Sequence, residues 1–304
     1  MKSEQHSTET ADPRYRGLDT WADTELLGAL HAGHVRAVAA VEPAIPALAA
    51  AAEIAAARLS AGGRLVYLAS GSPALLALGD ALEIPQTYGI ADDRIVTILA
   101  GGIDLVRNFS GVQEDDPRQA GIDVRAHGVG AGDCVVAISA SGSTPFTVAG
   151  LKAAREAGAA TVAVASNAGA PLFDHADVTV LLDTGPEVIA GSTRMGAGTA
   201  QKAALNMLST LIATRLGHVY DGMMVNVRAD NAKLVARAAS TISAITGVDT
   251  QAARAALEQA QGLVKPATLI AAGVPDYQSA EALLRRHGGN LRSAMAAIAT
   301  AELQ

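Results

Sequence analysis

The 304-residue chain is half hydrophobic, 17% charged and only 3% aromatic, which suffices for one large α/β domain and a smaller helical one built from Ala, Val, Leu and Ile. A net charge of −7 gives no basic footprint for nucleic acid, although backbone N–H groups can cradle phosphate on an acidic protein. The single cysteine, Cys134, excludes a disulfide framework. The polar segment Met1 to Arg16 has no apolar signal core and no stretch reads as both long and apolar enough to span a membrane, so a cytoplasmic protein is expected.

In chain order, residues 1–19 are polar and read as an arm. Thr24 to Leu59 is helical and Ala-rich, broken near Pro43 and Pro46 into two helices. Five short apolar runs follow: Arg64–Ala69, Arg94–Leu99, Asp133–Ser139, Thr161–Ser166 and Val178–Asp183. Helical patterns lie at Ala74–Leu82, at Pro145–Ala157 and, after the last run, at Ala197–Leu216. Continuous apolar strands alternating with helices predict an α/β, Rossmann-like fold: a doubly wound five-stranded parallel sheet buried on both faces. Residues 20–230 are assigned to this domain and 231–304 to a helical region. Within the latter, breaks at Gly273-Val-Pro275 and His287-Gly-Gly-Asn290 define a small three-helix unit over about 266–304. Cys134, inside the third run, reads as a small buried hydrophobe.

Ligands on such sheets bind beyond the carboxyl ends of the strands. The clearest loop is Ser139-Ala-Ser-Gly-Ser-Thr-Pro145, between the third run and a helix. Gly142 permits a tight path, Ser139, Ser141, Ser143 and Thr144 offer hydroxyls, and Pro145 suits a first helical turn whose N–H groups face an anion. It is a candidate phosphate cradle. Ser70 and Ser72 lie in the similar loop Ala69-Ser-Gly-Ser-Pro73 after the first run. In a third loop, Gly191–Lys202, small residues allow close approach and Ser192, Arg194 and Lys202 could meet a phosphate or carboxylate. Two acids stand out. Glu83 precedes Pro85, which is expected to stop its helix and leave Glu83 in a fixed corner, and Glu114 lies in Gly111-Val-Gln-Glu-Asp-Asp-Pro117. Spacing alone does not bring them together. The seven histidines give no metal-ligand spacing, and no GxGxxG or GxxxxGK[ST] follows a strand, so no metal or cofactor is expected.

Taken in order, these segments resemble the N-acetylmuramic acid 6-phosphate etherases of the SIS superfamily, which also includes the animal glucokinase regulatory protein. The resemblance rests on Gly62-Gly-Arg-Leu-Val-Tyr67, Asp80…Glu83…Pro85…Thr87-Tyr-Gly89, Ala100-Gly-Gly102, Glu114-Asp115 and Ser141-Gly-Ser-Thr-Pro145. Above all it rests on Gly185-Pro-Glu-Val-Ile-Ala-Gly-Ser-Thr-Arg194 running into Ala197-Gly-Thr-Ala-Gln-Lys202 and Leu205-Asn-Met-Leu-Ser-Thr210. The tail His287-Gly-Gly-Asn-Leu-Arg292 is similar to the family's small, UBA-like C-terminal unit.

The resemblance implies a cofactor-free carbon–oxygen lyase that is a homodimer. It would release D-lactate from C3 of N-acetylmuramic acid 6-phosphate, with Glu83 protonating the departing oxygen, Glu114 serving at C2 and the Ser139–Thr144 loop holding the 6-phosphate. The family pattern is altered at Pro73 and Leu75, where a hydroxyl and a cation are usual, at Ser143, where Arg is common, and at Leu30-His-Ala-Gly-His34. A lyase or isomerase acting on another phosphorylated sugar or cyclitol, and a non-catalytic sugar-phosphate sensor, stay open as alternatives.

Overall fold

A computed structural model describes residues 7–107 and 111–301. Residues 1–6 of the expected arm lie outside them. By its internal packing the chain divides into two compact units, one running to Leu82 and resuming over Asp92–Leu211, the other formed by Glu83–Ala91 and the chain from Ile212 onward.

The first unit contains α1 (Asp23–Ala39), α2 (Ile45–Ser60) and β1 (Leu65–Ala69), followed by the start of α3 (Gly71–Tyr88). After these come β2 (Ile95–Leu99), α4 (Pro117–Ala126), β3 (Cys134–Ile138), α5 (Pro145–Glu156), β4 (Ala160–Ala165), β5 (Val178–Leu181) and most of α6 (Gly196–Arg215). The five strands are all parallel in the order β2-β1-β3-β4-β5. The winding direction reverses between β1 and β3, which creates a topological switch point at the carboxyl edge. Apolar runs on both faces of β1, β3 and β4 require helices on both sides. On one face Val66, Leu68, Val135, Ala137 and Ala163 pack with Phe146, Leu151 and Ala154 of α5 and Ala120 and Val124 of α4. On the other, α2 turns Leu48, Ala51, Ala52, Ala55, Ala56 and Leu59 inward against the strands. Burial pushes the Cys134 thiol in β3 up to about 12, so it stays a neutral hydrophobe.

Three expectations need correction. The stretch Asp23–Ser60 is, by length and composition alone, apolar enough to cross a membrane. Its hydropathy comes from alanine, and the α2 half of it is spent on the sheet. The N-terminal segment is not a loose arm: residues 7–20 form three single-turn 3₁₀ helices, and Thr8 is fully buried. Pro85 does not stop its helix, because α3 continues to Tyr88. Proline forfeits its own N–H bond and crowds the carbonyl one turn earlier, but it does not prevent the residues after it from continuing the helix. Its carbonyl still accepts from Gly89 N (2.9 Å), and Asn226 Nδ2 caps the end by donating to Tyr88 O (2.9 Å) and Gly89 O (3.1 Å).

Among the described residues, the second unit has a two-stranded hairpin, β6 (Val219–Tyr220) and β7 (Met223–Met224), followed by the helices α7 (Ala232–Thr246), α8 (Thr250–Gln259), α9 (Val264–Ala271), α10 (Tyr277–Arg286) and α11 (Leu291–Ala301). Its own core gathers Ala238, Ile242, Ala256, Leu257, Leu269, Ala280 and Leu291. Asn231, Asp249, Asp276 and Asn290 each cap a helix start by accepting a backbone N–H. Buried Lys265 of α9 donates to Gly289 O at 2.7 Å and so ties α9 to the turn before α11.

The amino ends of β1 and β3 are joined by Asp133, which accepts from Arg64 N (3.1 Å), Nε (3.0 Å) and Nη2 (2.7 Å) and from Gly130 N (3.0 Å). Burial raises this carboxyl, but the hydrogen bonds and the guanidinium charge together outweigh it and hold it below its ordinary 3.8. Its stabilisation is therefore complete above that value and is lost as pH falls below it. Asp133→Asn should cost about 2 kcal/mol at pH 7 by denaturant titration, and the difference from wild type should shrink in acid.

Candidate active site

The loops after β1 and β3 flank the switch point. In Ser139–Thr144 the hydroxyls order one another: Ser139 Oγ accepts from Gly142 N (3.0 Å) and lies 2.9 Å from Thr144 Oγ1. Ser141 Oγ accepts from Ser143 N (3.2 Å) and from Ser143 Oγ (3.1 Å). Gly142 has φ +72°, and a Cβ there would lie 2.4 Å from Ala170 Cβ, so only glycine fits this turn. Thr144 turns its hydroxyl to Ser139 instead of capping α5, and Pro145 opens that helix. An ordered row of hydroxyls at the positive end of a twelve-residue helix is a candidate anion cradle.

Ser70, at the end of β1, is buried and its Oγ lies 3.1 Å from Thr147 Oγ1 in the first turn of α5, which ties the two loops together. Glu114 enters the same area from a 3₁₀ turn, Gly111–Asp115. Its carboxylate packs on the bare α-carbon of Gly71 (φ +59°), since a Cβ at that position would lie 2.8 Å from Oε1 and 3.0 Å from Oε2. Half-buried, Glu114 is pushed above the ordinary carboxylate range by burial first and by the charge of Asp115 second. A carboxyl raised in this way at a strand-end cleft is a candidate proton carrier.

The third loop is held at its base by Glu187, a buried residue whose carboxylate accepts from Gly196 N (2.7 Å) and Ala197 N (2.9 Å) and so caps α6. That anchor closes the segment carrying Ser192 and Arg194. Arg194 is exposed, with its Nη1 3.1 Å from Met195 Sδ, and Lys202 stands half-buried in the second turn of α6. Ser72 is half-buried in the first turn of α3.

Glu83 lies on the exposed side of α3 and belongs to the second compact unit. One turn earlier, buried Asp80 accepts from Tyr67 Oη (2.6 Å) and Ser209 Oγ (3.2 Å), anchoring the helix. Twelve residues of α3 separate Glu83 from Gly71.

Among the predicted residues, the structure thus brings together Ser70, Glu114 and the Ser139–Thr144 loop. Sequence reasoning did not single out Gly71, Thr147, Asn167 or the capping role of Glu187. A polar Ser-Asn pair ending the fourth apolar run was the one available signal for Asn167.

The five-stranded parallel sheet and the loops at its switch point fall within a SIS domain, whose models match residues 34–166 and 122–211. Phosphoheptose isomerases from Neisseria gonorrhoeae and Francisella tularensis superpose with TM-scores of 0.50, at 22% and 15% identity, over 64% of this chain and 100% of each of theirs, and so share the fold. The chain is 43% identical to the N-acetylmuramic acid 6-phosphate etherase of Deinococcus radiodurans over 95% of its own length and 94% of the relative's. It is 41% identical to that of Mycolicibacterium smegmatis (95% and 97%) and 37% to that of Pectobacterium atrosepticum (95% and 95%). The chain belongs to the N-acetylmuramic acid 6-phosphate etherase family.

A methyl group at position 71 would strain a left-handed backbone and displace the Glu114 carboxylate. With Glu114 as the candidate proton carrier, Gly71→Ala should lower kcat/KM about a hundredfold, as an ångström-scale misplacement does, while shifting Tm by only a few degrees.

Proposed function

We propose that this protein cleaves the D-lactyl ether of N-acetylmuramic acid 6-phosphate, giving N-acetylglucosamine 6-phosphate and D-lactate. The observation that carries the reading is the half-buried Glu114 carboxyl, raised and seated on Gly71, which is linked through Ser70 and Thr147 to the helix behind the serine cradle. In the open-chain sugar the C1 aldehyde acidifies C2. Glu114 takes the C2 proton, the C3–O bond breaks as Glu83 protonates the departing lactyl oxygen, and a C2–C3 double bond forms. Water then adds its hydroxyl at C3 and a proton returns to C2, so the sum is one ether and one water giving two alcohols. Two carboxyl groups on opposite duties suffice for this. The 6-phosphate sits on Ser139, Ser141, Gly142, Ser143 and Thr144 with help from Ser72, while Ser70 steadies the loop through Thr147. Ser192, Arg194 and Lys202 serve the remaining polar and anionic groups of the substrate.

The length of α3 bears on how the second acid arrives. Twelve residues of helix separate Gly71 from Glu83, more than adjacent sugar carbons span at about 1.5 Å of rise per residue, which favours a homodimer in which the partner's Glu83 completes each site. A different phosphorylated sugar is the second reading, favoured by Leu75, which is exposed and stands where the pattern of the resembled family has a cation.

Incubation with N-acetylmuramic acid 6-phosphate in deuterated water should release lactate and place deuterium at C2. Exchange without lactate would mean another leaving group, and neither event would mean a sensor. Glu114→Gln and Glu83→Gln should each lower kcat about a hundredfold or more. Asp115→Asn should move the acid limb of the kcat/KM profile to lower pH, because it removes a charge that raises Glu114. Mixing the two Gln variants should restore about a quarter of wild-type turnover if the acids come from different subunits, and none if they come from one.

A further inference from the structure

The N-terminal segment Ser7–Glu9 runs against two loops that the proposed function uses, and it is fixed there by a residue outside both. Asn167, which follows β4, is 5% exposed. Its Oδ1 accepts from both Ser7 N and Ser7 Oγ at 2.9 Å. Its Nδ2 donates to Ala140 O (3.1 Å) and, at 3.4 Å, to Ser141 O and Thr8 Oγ1. Thr8 is fully buried, and its carbonyl accepts from Gly191 N (3.0 Å) at the start of the loop carrying Ser192 and Arg194. The Glu9 carboxylate lies against Gly191, with Oε2 2.9 Å from where a Cβ would stand.

We propose that Ser7–Thr8 and Asn167 form a positioning strap that sets the shape of the anion cradle and holds the Gly191–Arg194 loop in register with it. Neither element touches the reacting atoms; each acts through backbone groups of the loops. Pinning Ser141 O fixes the peptide that joins Ser141 to Gly142 and so aims Gly142 N–H at Ser139 Oγ, the bond that orders the hydroxyl row. Ala140 O is held from two sides, by Asn167 Nδ2 and by Ser166 N (3.0 Å). Without the strap these carbonyls regain the freedom to rotate toward the anion, and a cradle that must order itself on binding holds its ligand less tightly. The inference rests on the cradle reading above, and it assigns substrate affinity to a segment remote in sequence from every catalytic group.

The test uses two variants of the full protein, a chain beginning at Thr10 and Asn167→Ala, together with their combination. The readouts are KM and kcat with N-acetylmuramic acid 6-phosphate, and the Kd of inorganic phosphate by titration calorimetry. The expected result is a rise of about tenfold in KM and in phosphate Kd for each variant, the loss equivalent to one well-placed hydrogen bond, with kcat within about threefold of wild type. The combined variant should be scarcely worse than either one, because both remove the same device. Unchanged KM and Kd would overturn the proposal, as would a loss of kcat that follows Tm or effects that add in the combination. If the shortened chain does not fold, Asn167→Ala alone decides. An inert wild-type enzyme whose phosphate Kd still responds to the strap would sink the etherase reading and leave this one standing.

Discussion

The contact between the Glu114 carboxylate and the bare α-carbon of Gly71 sets conditions that the neighbouring elements must meet. A carboxyl seated there loses part of its hydration, and that burial, more than the neighbouring charge of Asp115, raises it. The chain must pass Gly71 in a left-handed conformation, α3 must begin at that residue, and β1 must end just before it. Ser70 is consequently fixed between strand and helix, and its hydroxyl is spent on Thr147 of α5 instead of facing solvent. The acid and the cradle are thereby joined by one buried hydrogen bond across the switch point, and each constrains the other.

That arrangement needs a rigid sheet edge, and the composition supplies it in an unusual way. With 3% aromatics, the core achieves density through alanine and glycine at close approaches. Ala51, Ala52 and Ala55 of α2 are fully buried, so this helix can come close to the strands it covers. The same alanines give Asp23–Ser60 the hydropathy of a membrane span. Hydropathy counts methyl groups without regard to what they pack against, whereas the burial of α2 on β1, β3, β4 and β5 accounts for them as core.

The five strands were legible because each is a continuous apolar run bounded by turn residues, a pattern that both-sided burial imposes. Their observed limits differ from the expected ones by one or two residues. The serine loop was legible for a related reason, since Pro145 and Gly142 mark a helix start and a tight turn whatever the ligand. Helix α4 was not: its sequence, Pro117-Arg-Gln-Ala-Gly-Ile-Asp-Val-Arg-Ala126, places only Ala120 and Val124 in the core and reads as polar. Pro85 misled because the local rule describes what proline forfeits, while the fate of the helix was decided by Asn226, far along the chain. Asn167, Thr8 and Glu187 act through backbone groups more than 150 residues away (Asn167 with Ser7) or across a tight loop (Glu187 with Gly196), and such pairings leave no periodicity to read.

The positions at which this chain departs from the family pattern can now be weighed by what surrounds them. Ser143, where a guanidinium is common, spends its hydroxyl on Ser141 Oγ, and its N–H also goes to Ser141 Oγ. The residue therefore reinforces the hydroxyl row and adds no charge to it. Leu75 stands 44% exposed on the first turns of α3, where it offers an incoming anion an apolar surface. On the function proposed above, attraction for a phosphate at this loop comes from the dipole of α5 and from oriented hydroxyl and backbone donors, which are short-ranged and demand close placement. A guanidinium tolerates some looseness because its charge acts at a distance, but neutral donors do not. With serine at 143, rigidity in the loop matters more, and the buried Asn167 amide supplies it by holding two successive carbonyls of the loop from behind.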